Sequence, residues 1–183
     1  MQTALTELAE LFATTTARIT PEQLDRPTPC TDFTVRQLLA HLGGVLPDSE
    51  RAAHKLPRPA APAAALTEPV AVGESARRAA AAWQVPSALD GDTLFGPGEM
   101  PAGFAAAVTL QELALHGWDL ARAAGVDYVP GEAAAETVLA VVEQLAERAR
   151  ANGSYGPALP APADSAAFER ALAASGRNPG WAA

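Results

Sequence analysis

Alanine is the feature of this chain that most limits how it can fold. It makes up about a quarter of the 183 residues, whereas phenylalanine, tryptophan and tyrosine together contribute only 5%. Alanine has the highest helix propensity of any residue, and its small side chain lets helices approach one another closely. Runs of β-branched and aromatic residues, which are typical of strands, are sparse. The sequence therefore predicts an all-α protein with a core of closely packed helices.

The spacing of the larger apolar residues divides the chain into helices and loops. Apolar positions recur every three or four residues, and Thr34 and Gln37 form the pattern of a capping box before one such stretch. A proline- and alanine-rich linker at 56–70 and segments rich in glycine and proline separate the helical stretches. We predict helices over residues 3–19, 34–55, 72–84, 101–124 and 131–150, and a last short helix from a cap at Asp164 or Ser165 to Ala174.

These elements indicate a four-helix bundle with long irregular connections. The length of the chain fits one domain with a short C-terminal appendage. We assign residues 1–152 to the bundle, and residues 153–183 to a C-terminal loop and short helix packed on it.

The charge of the chain argues against polyanionic partners. Its net charge is −8, and its thirteen basic residues are scattered without the runs that bind nucleic acids or anionic membrane surfaces. Cys30 is the only cysteine, which excludes an internal disulfide framework. No apolar stretch is long enough to span a bilayer, and the N-terminus lacks the basic start of a signal peptide. We expect a cytoplasmic protein with a small-molecule substrate.

Three residues have the chemistry of metal ligands. Glu112 and His116 are four residues apart, so they project from the same face of one helix. His41 lies in the middle of another helix among apolar neighbours, where we expect it to point inward. Two imidazoles and one carboxylate from facing helices suit a divalent cation, and a catalytic centre keeps a further position open. Asp119 is placed to accept a hydrogen bond from His116 and to fix the tautomer of that ring.

The same residues also allow a purely structural interpretation. Glu112 and His116 can form a simple pair on a helix surface, and His41 can be a core histidine bonded to a backbone carbonyl. Cys30 is a candidate nucleophile or fourth ligand, but lone cysteines are usually buried and inert, so a structural role is favoured. His54 lies in a polar stretch, and we expect it at the surface.

Three segments carry a resemblance to a known family. The segment 28–44 contains T-P-C-T-D-F-T-V-R followed by L-A-H-L-G-G, and the segment 95–121 contains F-G-P-G-E-M-P followed by E-L-A-L-H-G-W-D-L-A. The third segment, 155–179, runs from Y-G-P-A-L-P to G-R-N-P. In these segments the chain resembles the DinB-like helical bundles, and specifically the actinobacterial branch called the mycothiol-dependent maleylpyruvate isomerase metal-binding domain family.

The resemblance implies a four-helix bundle that binds one divalent metal, usually zinc, through His41, Glu112 and His116. It also implies the use of a low-molecular-weight thiol such as mycothiol, and a monomer or homodimer. Nickel, manganese and iron accept the same ligand types. The isomerase of this family carries an additional C-terminal domain for which this chain is too short, so we do not expect isomerisation of maleylpyruvate itself.

The leading hypothesis is a metal-dependent enzyme that uses such a thiol on a small electrophile, either for S-transfer or for isomerisation by addition and elimination. The alternatives are a metal-dependent hydrolase and a module that binds a metal or ligand without catalysis. We expect the pocket to open between residues 95–101 and residues 25–33, with Arg36 or Arg122 available to an anionic group.

Overall fold

The computed structural model describes residues 1–61 and 64–182 and confirms the predicted all-α fold. Pro62 and Ala63, in the predicted linker, lie outside the described residues. The elements are α1 (Gln2–Thr16), α2 (Val35–Ala53), α3 (Pro69–Ala82), the hairpin strands β1 (Asp92–Phe95) and β2 (Gly98–Pro101), α4 (Ala102–Gln111), a π-helical turn (Glu112–His116), α5 (Gly117–Ala124), α6 (Glu132–Ala151) and α7 (Ala167–Ala174). None of the described helices is long and apolar enough to cross a membrane.

Local sequence signals set several helix ends as predicted. Thr34 caps α2, since its hydroxyl accepts from the Gln37 amide at 3.4 Å and the Gln37 side chain accepts from the Thr34 amide at 2.9 Å. Gly125 ends α5 in the left-handed conformation, with φ of 73°. The glycine- and proline-rich stretch before α4 forms the antiparallel hairpin of β1 and β2.

Three predicted helix ends are wrong. The third helix, α3, begins at Pro69, three residues before the predicted start, because proline suits the first turn of a helix. The first helix, α1, stops at Thr16 rather than continuing to residue 19. The last helix, α7, begins after Ala166 and has no cap from Asp164 or Ser165. The start of α7 is shifted because the Ser165 amide donates to the Pro162 carbonyl at 3.1 Å, in a turn that precedes the helix.

Small residues let α1 and α3 pack closely, as the alanine content predicts. A Cβ atom at Gly73 of α3 would lie 3.0 Å from the Cα atom of Ala13 and 2.5 Å from Oγ1 of Thr16, both on α1. Larger side chains fill the rest of the core. Those fully buried are Trp83, Phe12 and the leucines at positions 5, 8, 38, 39, 42, 46, 110, 113, 120 and 172.

A proline inside α2 leaves a backbone carbonyl free, and the linker bonds to it. Pro47 has no amide hydrogen, so the carbonyl of Gly43, four residues earlier, lacks its partner within the helix. The amide of Leu66 donates to this carbonyl at 3.2 Å. A Cβ atom at residue 43 would lie 1.8 Å from the Leu66 carbonyl oxygen, so only glycine lets the linker cross α2 this closely.

The C-terminal segment, residues 153–182, lies against the bundle. Its helix α7 packs on α6, and the segment buries the side chains of Tyr155, Phe168 and Arg177. Further along, the carbonyl of Trp181 accepts a hydrogen bond at 3.0 Å from Nε of Arg122 on α5. The segment therefore reaches the helix that directly follows the π-helical turn.

Candidate metal centre

Three side chains meet where the middle of α2 faces the π-helical turn. Nε2 of His41 lies 3.0 Å from Oε2 of Glu112, and Nε2 of His116 lies 3.5 Å from the same oxygen. The two imidazole rings stand edge to face, with centroids 5.4 Å apart. One ligand atom from each residue thus lies within 4.8 Å of those of the other two.

This donor set fits a divalent cation. Zinc binds imidazole nitrogen and carboxylate oxygen at about 2.1 Å, so donors at tetrahedral angles around it are about 3.4 Å apart. The distances from Oε2 of Glu112 to the two imidazole nitrogens, 3.0 and 3.5 Å, are close to that separation. The side chains of Glu112 and His116 are 13% exposed and that of His41 is 33% exposed, so the site is sheltered but can be reached from one side.

The charged groups of the site shift one another's pKa. Burial by itself raises the pKa of Glu112, but His116 and His41 outweigh burial and hold that pKa below its usual range. The hydrogen bond to Glu112 raises the pKa of His41, against the opposing effect of burial. Glu112 is therefore a carboxylate at neutral pH, which is the form that binds cations.

The π-helical turn, which the sequence analysis did not predict, carries two of the three side chains. It widens the helix between α4 and α5, and such turns occur frequently at functional sites. The buried hydroxyl of Tyr128 donates to the carbonyl of Leu113, within the turn, at 2.8 Å. A Cβ atom at Gly117 would lie 2.5 Å from that hydroxyl, so glycine is needed where the turn ends. Tyr128 and Gly117 together support the backbone that positions Glu112 and His116.

His116 has a buried partner on the side away from Glu112. Oδ2 of Asp119 lies 2.9 Å from Nδ1 of His116, so the hydrogen bond expected from their spacing is present. Arg177 binds the same carboxylate, with Nη2 2.8 Å from Oδ2. Burial by itself raises the pKa of Asp119, but Arg177 and His116 outweigh it and lower that pKa. Arg177 was not predicted as a site residue, because it lies in a loop 58 positions from Asp119 and no helical spacing links the two. The signal that could have found it is the G-R-N-P motif at 176–179, which carries part of the family resemblance.

The other two candidate ligands also contact supporting side chains. Nε2 of Gln111 approaches Oε1 of Glu112 at 3.5 Å, and the hydroxyl of Tyr155 donates to Oε1 of Gln111. The ring of Phe33 stacks on that of His41, with centroids 5.5 Å apart. Neither Tyr155 nor Phe33 stands at a helical spacing from a ligand, so periodicity could not identify them, although both lie in the segments that carry the family resemblance.

Cys30 lies close to the site without offering a suitable ligand. Its sulfur lies within 4.8 Å of ligand atoms of His116 and Asp119. Arg177 already binds Asp119, and its positive charge opposes a cation at that position. Burial, reinforced by Asp119, raises the pKa of Cys30 to about 11, so the side chain is a neutral thiol rather than a thiolate. These features favour the structural role over a nucleophile or a fourth ligand.

A cavity of about 770 Å³ opens beside His41 and Glu112. The hairpin lines it as predicted, but none of residues 25–33, all of which the structure describes, does so. That part of the prediction is wrong because the 25–33 loop covers a different face of His41, where Phe33 stacks. The opposite wall comes from α6 instead. Apolar side chains on the cavity walls are Val45, Phe95, Met100, Phe104, Val108 and Leu145.

The two arginines expected to bind an anionic group are engaged elsewhere. Arg36 forms an exposed ion pair with Asp25 at 3.1 Å, and Arg122 donates to the carbonyl of Trp181. Neither side chain lines the cavity. The prediction fails because nearness in sequence to a candidate ligand does not determine which way a long side chain points.

Other arginines line the cavity and differ in their contacts. Arg51 is bound to Asp48 at 2.6 Å, and Arg58 donates to a carbonyl of the hairpin turn. Arg148 of α6 lies over the ring of Phe104, at 5.2 Å from its centroid. Among residues 1–61 and 64–182, no side chain or carbonyl forms an ion pair or hydrogen bond with the Arg148 guanidinium. Arg148 and Arg58 are therefore the cavity-lining cations that form no ion pair among the described residues, and Arg148 also makes no hydrogen bond there.

The helices and the His–Glu–His cluster on facing helices place this protein in the class of DinB-like bundles with a candidate metal site. Within that class, the chain belongs to the family described as the mycothiol maleylpyruvate isomerase N-terminal domain, whose family model matches residues 5–121. This match confirms the resemblance seen in the sequence. It covers all three candidate ligands and ends before the C-terminal segment.

Solved structures show the same fold. Two crystal structures of the mycothiol-dependent maleylpyruvate isomerase, one of them a histidine-to-alanine mutant, match with a TM-score of 0.56 and 16% sequence identity. Each match covers 77% of this chain and 67% of the other. At this identity the likeness establishes the fold alone. No protein with curated annotation matches the sequence significantly.

Proposed function

We propose that this protein is a metal-dependent enzyme that uses a low-molecular-weight thiol, of the mycothiol kind, to convert a small electrophile by S-transfer or by addition and elimination. The observation that carries the proposal is the convergence of His41, Glu112 and His116 on one point at the wall of a large cavity. Family membership supports the thiol, since the family is described by a mycothiol enzyme.

His41, Glu112 and His116 would hold the cation, with zinc as the first choice for nitrogen and oxygen donors. A divalent cation at this site favours the thiolate form of a thiol over the neutral form. Asp119 would accept a hydrogen bond from Nδ1 of His116 and so keep Nε2 of that ring directed at Glu112. The partial exposure of His41 leaves room for a reactant to approach from the cavity.

The cavity supports a small molecule as the substrate. Its volume of about 770 Å³ lies within the range of ordinary ligand pockets. Its largely apolar walls exclude water from the reacting atoms, and Arg148 offers one positive charge to an acidic group of a bound molecule.

The test has a metal part and a thiol part. Elemental analysis of the purified protein should find close to one divalent metal per chain, and His116→Ala should lose it while keeping the helical circular-dichroism spectrum. His54→Ala, which changes an exposed histidine, is the matched control and should retain the metal. Thermal shifts of the metal-loaded protein with a panel of small thiols then measure thiol binding.

Each outcome decides between the hypotheses. Wild-type protein without bound metal would refute metal dependence. Metal-loaded protein that binds no thiol but hydrolyses model esters or amides would replace the thiol enzyme with a hydrolase. Metal and thiol binding without turnover of any electrophile would indicate a binding module.

A further inference from the structure

Arg177 lies outside residues 5–121, which the family model matches, but its side chain reaches the candidate metal centre. The side chains of Arg177 and Asp119 are 7% and 0% exposed. Two parallel hydrogen bonds join them, from Nε to Oδ1 at 2.9 Å and from Nη2 to Oδ2 at 2.8 Å. Nη1 also donates to the hydroxyl of Ser175 at 3.2 Å. This bidentate, buried geometry distinguishes the contact from a surface ion pair.

The contacts of His116 determine which of its nitrogens carries the proton. Oδ2 of Asp119 is an acceptor 2.9 Å from Nδ1, whereas Oε2 of Glu112 is 3.5 Å from Nε2. Nη2 of Arg177, a donor, also faces Nδ1 but lies farther away, at 3.4 Å, and its shorter bond at 2.8 Å goes to Oδ2 of Asp119. That Glu112 oxygen already lies 3.0 Å from Nε2 of His41. A neutral His116 therefore carries its proton on Nδ1 and presents the lone pair of Nε2 to the place where the candidate ligands meet.

This tautomer depends on the orientation of the Asp119 carboxylate. Oδ2 accepts from His116 and from Arg177, so the guanidinium fixes the carboxylate with Oδ2 against the ring. Lysine would supply a positive charge but not two parallel N–H donors. A buried carboxylate that lost one of these donors would turn toward another, since leaving it unpaired is costly.

We propose that Arg177 is a positioning residue of the metal centre, which orients Asp119 so that His116 keeps its proton on Nδ1 and leaves Nε2 free to bind the ion. The inference rests on the proposed function, because it concerns the same ion. It also makes the C-terminal segment part of a centre whose three candidate ligands all lie within the matched domain.

The first test measures the tautomer of His116 by nitrogen-15 NMR on the metal-free full chain, at alkaline pH where histidine is neutral. We expect the wild-type proton on Nδ1 and a mixture of tautomers in Arg177→Lys. The control is Arg150→Ala, which removes an exposed contact of 3.1 Å to the Ala174 carbonyl in the same segment and should leave the tautomer unchanged. A wild-type proton on Nε2 would overturn the proposal.

The second test measures the zinc Kd by competition with a chelating dye, and the visible spectrum of the cobalt-loaded protein. Loss of an outer partner of a ligand typically costs 10- to 100-fold in metal affinity. Because Arg177 acts through Asp119, Arg177→Lys should raise the Kd by about 10-fold, the lower end of that range, and alter the cobalt spectrum. Arg150→Ala should leave both unchanged. If Arg177→Lys folds and keeps the wild-type zinc affinity and cobalt spectrum, the proposal is wrong and Arg177 contributes only to packing.

The two tests separate this inference from the proposed function. Wild-type protein that binds no zinc contradicts the proposed function, while the tautomer of the metal-free chain still decides whether His116 is oriented as described. If Arg177→Lys does not fold, Arg177→Gln, which keeps one N–H donor for Asp119, replaces it in both tests.

Discussion

The candidate metal centre has a closed side and an open side. On the closed side, Asp119 is fully buried and bound by both His116 and Arg177. On the open side, His41 is 33% exposed and borders the cavity together with Glu112. Structural metal sites are closed all round, whereas catalytic sites leave a position for substrate. The difference between the two sides is therefore the one that the proposed function requires, since a catalytic ion needs an open position and a structural ion does not.

Metal binding should have the largest effect on the stability of the protein, because one ion would bind side chains from both sides of the centre. Metal at 1,000 times its Kd stabilises the folded chain by about 4 kcal/mol, which raises the melting temperature of a protein of this size by roughly 10 °C. Differential scanning fluorimetry of metal-free protein with added zinc measures the shift. The same shift in His116→Ala would show that zinc binds elsewhere.

The closed side can be tested at Gly117. In Gly117→Ala the new methyl group would lie 2.5 Å from the hydroxyl of Tyr128, which is buried in the core. We expect a loss of about 1–3 kcal/mol in the free energy of unfolding, measured by urea denaturation, and weaker zinc binding as the π-helical turn shifts. Gly103→Ala is the control, since nothing lies within 4 Å of its Cβ position and alanine suits a helix better than glycine. Equal stability of the two variants would contradict the packing described for Tyr128.

The open side can be tested at Gly43, where we expect a smaller change. The methyl group of Gly43→Ala would meet the Leu66 carbonyl at 1.8 Å, so the linker must move away from α2. Because a linker yields more easily than a core, we expect a loss of about 1 kcal/mol by urea denaturation, together with faster proteolysis in the linker. Gly44→Ala, whose Cβ would meet nothing within 4 Å, should be neutral or slightly stabilising. An unchanged rate of cleavage in Gly43→Ala would argue against the observed path of the linker.

The smallest effect on stability is expected at Tyr155. Its hydroxyl reaches Glu112, on the open side, only through Gln111. Tyr155→Phe removes the hydroxyl that binds Gln111 and should cost about 0.5 kcal/mol in the free energy of unfolding, because Gln111 is only partly buried and water can replace the hydroxyl. Zinc affinity should fall less than in Arg177→Lys, because Gln111 approaches Glu112 only at 3.5 Å. Zinc titrations of Tyr155→Phe and Arg177→Lys compare the two supporting residues. A larger loss of zinc affinity in Tyr155→Phe would show that the open side depends more on its support than the closed side does.

The candidate ligands could be predicted from the sequence further than most of the residues that support them. Glu112 and His116 share a helix face by their spacing, and the bundle brings His41 opposite them. Helical periodicity and capping signals are local, so they gave the fold class and most helix ends. The metal ligation of these side chains stays a prediction.

The supporting residues depend on tertiary packing that no local pattern encodes. Arg177 and Tyr155 reach the site from the C-terminal segment, and the π-helical turn depends on a hydroxyl from Tyr128. The position of the cavity was predicted only in part for the same reason. Loop 25–33 and the 95–101 hairpin are both near the candidate ligands, but they cover different faces of them.

The proline of α2 limits how this part of the protein can evolve. Any other residue at position 47 would restore an amide that competes with Leu66 for the Gly43 carbonyl, and the rival donor would be one helical turn away. The crossing of the linker over α2 therefore depends on proline at position 47 and glycine at position 43, one helical turn apart. Homologues that keep this crossing should retain both positions together, and those that lose one should be free to lose the other.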